Sequence, residues 1–133
     1  MAETIMTTPI TAFYAGLLGI TFVYLSILVI NQRRSKKVSL GDGGDAHFLG
    51  FIRAHGNFAE YVPLALVMML IAELNDSHHI LLHLAGVLML AGRLLHAYGL
   101  RHHVGASWQR IWGMLMTFAS LLIGSVLCLL ILY

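Results

Sequence analysis

The chain alternates long apolar runs with short polar interruptions. Ile10 to Ile30 carries no charge, and neither does Ile111 to Tyr133. Each run reaches the roughly 20 apolar residues that a helix needs to cross a bilayer core. Two less pure runs lie between them. Phe48 to Leu74 reads as polar up to Glu60 and apolar beyond it; Ile80 to Leu100 is apolar apart from His83, Arg93 and His96. The pattern predicts an all-α membrane protein built as a bundle of four transmembrane helices. The predicted connections are Asn31 to Ala46, basic and then turn-forming, Asn75 to His79, a tight turn, and Arg101 to Gln109. Pro63 falls inside the second helix and frees the Ala59 carbonyl, which a packed membrane bundle tolerates.

Composition strengthens this reading. Of 133 residues, 59% are hydrophobic and 11% charged, whereas soluble domains carry about 25% charged residues. Mean hydropathy is +0.82. The length allows one domain, spanning 1–133. The first apolar run lacks a basic leader and a small-residue cleavage site, so it reads as a retained span. A net charge of +2 gives no reason to expect a nucleic-acid partner. Cys128 is the single cysteine, and His78–His79 and His102–His103 have no Cys or carboxylate at ligand spacing. No disulfide and no metal site are expected. Gly16, Gly19, Gly86, Gly92, Gly113 and Gly124 are expected to allow close helix approach.

The placement of the basic residues predicts the topology. Arg33, Arg34, Lys36 and Lys37 lie in the first connection, and Arg101 and Arg110 flank the third. The positive-inside rule puts these connections in the cytoplasm and both termini outside. The start of the second helix and the end of the third then share one level of the membrane.

At that level the second helix carries Arg53, Asn57 and Glu60, at i, i+4 and i+7, on one face. Charge at membrane depth costs a few kcal/mol and usually marks a functional site. The face offers a guanidinium to a carboxylate, an amide to a polar backbone and a carboxylate to an ammonium, so a small zwitterionic peptide would satisfy all three. The plainer alternative is an ion-pair network that only holds helices together. Arg93 either pairs with Glu60 or touches a ligand. Tyr61 is either an interfacial anchor or part of the cavity wall. His55, two positions from Arg53, points to another face, toward another helix within one subunit or, in an oligomer, toward a neighbour's site. The Arg33–Lys37 cluster reads as a topology determinant with anionic-lipid contacts, and could supply a ligand's carboxylate partner.

The segment Arg53-x3-Asn57-x2-Glu60-Tyr61-x-Pro63 resembles the signature of the MAPEG proteins, the membrane-associated proteins in eicosanoid and glutathione metabolism. Arg33-Arg34, the Gly-Arg-Leu-Leu-His run at 92–96 and the four-helix plan also fit. The Leu-Gly-Asp-Gly-Gly loop and His55 look most like the small bacterial branch. The resemblance implies a homotrimer in the bacterial inner membrane, with glutathione bound as co-substrate between subunits near the cytoplasmic face. It implies that Arg53, Asn57, Glu60 and Tyr61 hold glutathione with His96 beside them, and that Arg33 or Arg34 and His55 reach in from the neighbour. Two departures stand out. His96 and Leu100 occupy positions where conjugating members often carry tyrosines. Ser107 falls where their thiol-activating arginine lies at the start of the fourth helix. Arg110, and after it Arg101, are the candidates for that catalytic role.

The function expected is a microsomal-type glutathione S-transferase or peroxidase acting on hydrophobic electrophiles or lipid hydroperoxides that arrive from the bilayer. The alternative is a non-catalytic glutathione- or lipid-binding membrane protein. A small multidrug transporter fits less well, because such proteins place an acid deep in a first helix that here has no charge.

Overall fold

The structure, a computed structural model, describes residues 7–133. The expected placement of the N-terminus falls on residues outside this range. Four helices form: α1 (Pro9–Lys36), α2 (Ala46–Leu74), α3 (His79–His102) and α4 (Trp108–Leu130). Each is long and apolar enough to cross a membrane.

α1 runs beyond its expected end and takes Arg33, Arg34 and Lys36 into its last turn. These residues therefore lie on the helix and not in a loop. Arg and Lys are good helix formers, and positive charge is favoured beside the carbonyls of a helix C-terminus. Lys37 closes α1 in the left-handed conformation, its N–H donating to the Arg33 carbonyl. α2 starts at once after a compact turn. The Asp45 carboxylate caps it by accepting from the Phe48 N–H at 3.0 Å, and Lys36 Nζ lies 2.6 Å from Asp45 Oδ2. The Lys36 bond first, then the Phe48 N–H, hold the Asp45 carboxyl below its ordinary 3.8. This cap is at full strength above pH 3.8 and is lost as pH falls through the lower folded value. The third connection is also tighter than expected: Arg101 and His102 end α3, and Trp108 to Arg110 begin α4.

α2 and α3 pack on each other, with α1 and α4 on opposite sides of the pair. α3 and α4 cross closely at two glycines. A methyl group at Gly92 would come within 2.9 Å of the Gly113 carbonyl, and one at Gly113 within 2.6 Å of His96. Gly86 likewise accommodates the Tyr14 ring, and Gly124 meets Met68. Gly16 and Gly19 differ from expectation: a side-chain carbon there would meet nothing within 4 Å, because that face of α1 turns outward. Outward faces are apolar, as at Ile20 and Leu122, 71% and 66% exposed. Such a surface suits lipid and not water.

At the end of the bundle opposite the basic residues lies a carboxylate that the apolar reading of α2 passed over. Glu73 is 5% exposed. Its oxygens accept from the N–H groups of Ile10 at 2.9 Å and Thr11 at 2.8 Å. The N-cap residue Thr8 makes no side-chain cap of its own. The cap comes from another helix, and the carboxylate also complements the positive end of the α1 dipole. Glu73→Ala is expected to destabilise the protein by about 2–4 kcal/mol through the lost charged hydrogen bonds. Glu73→Gln, which keeps one acceptor, should fall between. Thermal unfolding in mild detergent checks this; an unchanged midpoint for Glu73→Ala would show that the cap carries no stability.

Candidate functional site

The site begins with a rise of 1.5 Å per residue. Arg93 lies nine residues before the end of α3, Thr117 nine residues after the start of α4, and Asn57 eleven after the start of α2. All three therefore sit roughly 14–16 Å in from the basic end of their helices. The three helices converge there, and Arg93 is the tie between them.

Arg93 is 1% exposed. Its Nε and Nη2 donate to the Thr117 hydroxyl at 3.0 and 2.8 Å, Nη2 also approaches Met114 Sδ at 3.1 Å, and Nη1 donates to Asn57 Oδ1. The guanidinium carbon lies 5.4 Å from the centre of the Tyr61 ring, whose edge meets Phe118. Thr117 in turn donates its own proton to the Gly113 carbonyl at 2.8 Å. The expected alternative for Arg93, a pair with Glu60, is not formed. Glu60 Oε1 is held instead by Arg53 Nη2 at 3.0 Å. Among the described residues, no carboxylate lies within salt-bridge distance of Arg93. Hydrogen bonds and an aromatic face stabilise this buried cation in place of a counter-ion.

Arg53 and Glu60 stand on the outward side of the same α2 face, with side chains 46% and 54% exposed. Gly56, between them, leaves the helix surface bare where the pair crosses it. Arg53 also lines a cavity of about 200 Å³ with Arg110, Gly50, Leu100, His103 and Val104, at the basic end of the bundle. Arg110 continues onto an apolar groove along α4, with Ile111, Met114 and Leu115. Its backbone N–H is capped by Ser107 at 3.2 Å.

The structure thus brings together Arg53, Asn57, Glu60, Tyr61 and Arg93, with Arg110 joining Arg53 at the cavity. His96 is buried beside Gly113, at 3% exposure. The other expected site residues lie elsewhere. His55 takes the within-subunit alternative and faces another helix: its Nε2 is 3.0 Å from Ser26 Oγ and its ring stacks on Phe22 of its own α1. Two residues of helical rotation separate it from Arg53, and that rotation turns it inward. Arg101 faces α1 as well, with Nε donating to the Ala97 carbonyl at 3.2 Å and its guanidinium over Tyr24. Arg33 is tied down by the Gly41 carbonyl at 2.9 Å and lies over the Phe48 ring. Arg34 is exposed beside it.

Thr117 and Met114, partners of Arg93, were not among the residues expected at the site. The signal was present. An arginine inside a membrane helix needs acceptors at its own depth, and Thr117 interrupts the apolar fourth helix at that level.

Together these features define a four-helix integral membrane protein with a polar cluster inside its span. The comparisons assign it more closely. The MAPEG family model matches residues 11–130, and the chain belongs to the MAPEG family. It is also similar to proteins named "Inner membrane protein YecN" from two Escherichia coli strains. Each is 39% identical over 114 residues, covering 86% of this chain and 86% of the relative.

Thr117→Val keeps the shape but removes the acceptor of two guanidinium bonds. It is expected to cost about 2–4 kcal/mol, because a buried charge loses its partner. Thr117→Ser should stay within about 1 kcal/mol of wild type. Unfolding midpoints in detergent decide this, and equal midpoints for Val and wild type would contradict the role given to Thr117.

Proposed function

We propose that the protein binds glutathione at the α2 face and uses it as the co-substrate of a transferase or peroxidase acting on hydrophobic electrophiles or lipid hydroperoxides. One observation carries this reading. The Arg53–Glu60 pair is half-exposed although it sits roughly 10–21 Å into the span of α2. A purely structural ion pair at that depth would be expected to turn inward, away from hydrocarbon. An outward pair is suited to exchanging partners with a zwitterion: Glu60 takes the ligand's ammonium, and Arg53 a carboxylate. Family membership supports glutathione as that zwitterion.

The same exposure calls for a cover. In the reading proposed here a homotrimer supplies it, with the charged face turned to a neighbouring subunit and not to lipid. The exposed Arg34 is then the first-helix arginine free to reach across, since Arg33 is spent on its own loop. Arg110 is the proposed thiol-activating arginine. It shares the cavity with Arg53 and borders the apolar groove of α4. A cation beside the thiol favours the thiolate, whose sulfur attacks the electrophile while the leaving group departs. The apolar second substrate arrives from the bilayer along the groove. The proposed setting is an inner membrane, with the glutathione site near the cytoplasmic face and the C-terminus outside.

Three variants test the assignment of roles. Arg53→Ala and Glu60→Ala are each expected to weaken glutathione binding about 30-fold or more while leaving the oligomer assembled. Arg110→Ala is expected to lower turnover of chlorodinitrobenzene much more than it lowers affinity, because it acts on the reacting atom. Unchanged affinity in the first two would remove the α2 face from the site. Glutathione binding without turnover in the wild type would favour a non-catalytic binding protein.

A further inference from the structure

Arg93 does more than fill the core. A guanidinium has five N–H donors and no acceptor. Whatever touches it must present an acceptor, and both of its side-chain oxygen partners do so. The Thr117 hydroxyl sends its proton away to the Gly113 carbonyl and turns its lone pairs to Arg93. Asn57 can meet Arg93 only through Oδ1. The amide of Asn57 is planar, so fixing Oδ1 on Arg93 fixes the direction of the Nδ2 protons. Among the described residues, Nδ2 makes no hydrogen bond. Asn57 is only half-buried and shares the α2 face with Arg53 and Glu60.

We infer that Arg93 is a positioning residue that locks Asn57 with its NH2 toward the site, so that the ligand atom at this subsite must be a hydrogen-bond acceptor. Such an atom is a peptide carbonyl, a carboxylate oxygen or a thiolate sulfur, and not an N–H or an ammonium. The charged face then reads in order along α2. Arg53 is a donor, Asn57 is a donor by enforcement, and Glu60 is the sole acceptor. The ligand must carry its ammonium at the Glu60 end and acceptors along the remainder. Without Arg93, an asparagine at 57 could turn either way and would discriminate neither polarity.

This inference rests on the proposed glutathione site, and its test separates the two. Asn57→Asp keeps an oxygen for Arg93 and adds a charge pair there, but replaces the outward donor by an acceptor. It is expected to fold and assemble like wild type, to unfold at or above the wild-type temperature, and to bind glutathione about tenfold to hundredfold more weakly. Arg93→Gln, which can donate or accept, should weaken binding as well. The double variant should be little worse than Asn57→Asp alone, because both changes remove the same oriented donor. Glutathione affinity equal to wild type in Asn57→Asp would overturn the inference while leaving the glutathione reading intact. A wild type that does not bind glutathione would sink the parent reading instead. The orientation is then judged by stability: Asn57→Asp must unfold above Asn57→Leu, which has no oxygen for Arg93. The reverse order would overturn the orientation too.

Discussion

A guanidinium placed out of water must find partners for its donors within the protein, and the packing of this bundle follows from how Arg93 finds them. It binds α4 through Thr117 and α2 through Asn57, and lies against the Tyr61 ring. Gly92 and Gly113 bring α3 and α4 close enough for the Thr117 contact. An amine cation with a single point of attachment could not make this three-way connection, because it lacks the planar fork of donors. Removing any acceptor leaves a charge with nothing to exchange for water, which makes the cluster rigid.

That rigidity has a functional side. Of the polar motif residues of α2, Asn57 and Tyr61 are held from behind by Arg93. Arg53 and Glu60, among the described residues, pair with each other. The inner half of the face is thus fixed and the outer half exchangeable. In the proposed site a zwitterionic ligand gives each member of the pair a new charged partner, Glu60 an ammonium and Arg53 a carboxylate. Arg110, at the rim of the cavity, meets both the polar side and the apolar groove.

Much of this was legible from the chain. Four apolar runs of spanning length, the bias of the basic residues and the 53–57–60 spacing lead to four helices and one polar face. Side-chain partnership was less legible. Arg93 could equally have paired with Glu60 by depth, and only the packing of α4 against α3 shows that Thr117 and Asn57 take it. Glu73 escaped notice because a single carboxylate near the end of an apolar run looks like a boundary. Its partners are backbone N–H groups of α1, which carry no sequence signature. The basic cluster moved from loop to helix for a similar reason: polar residues mark the end of a span, but a helix can outlast its apolar stretch.

In the proposed function the α2 face recognises a zwitterion by splitting the Arg53–Glu60 pair. A calorimetric comparison of glutathione with N-acetylglutathione on the wild-type protein in mild detergent tests it most directly. Acetylation removes the ammonium that Glu60 would receive and leaves the carboxylates and thiol in place. Saturable binding of glutathione is expected, with the acetylated form bound about 30-fold more weakly or worse. Equal affinity for the two, or no binding of glutathione, would contradict it.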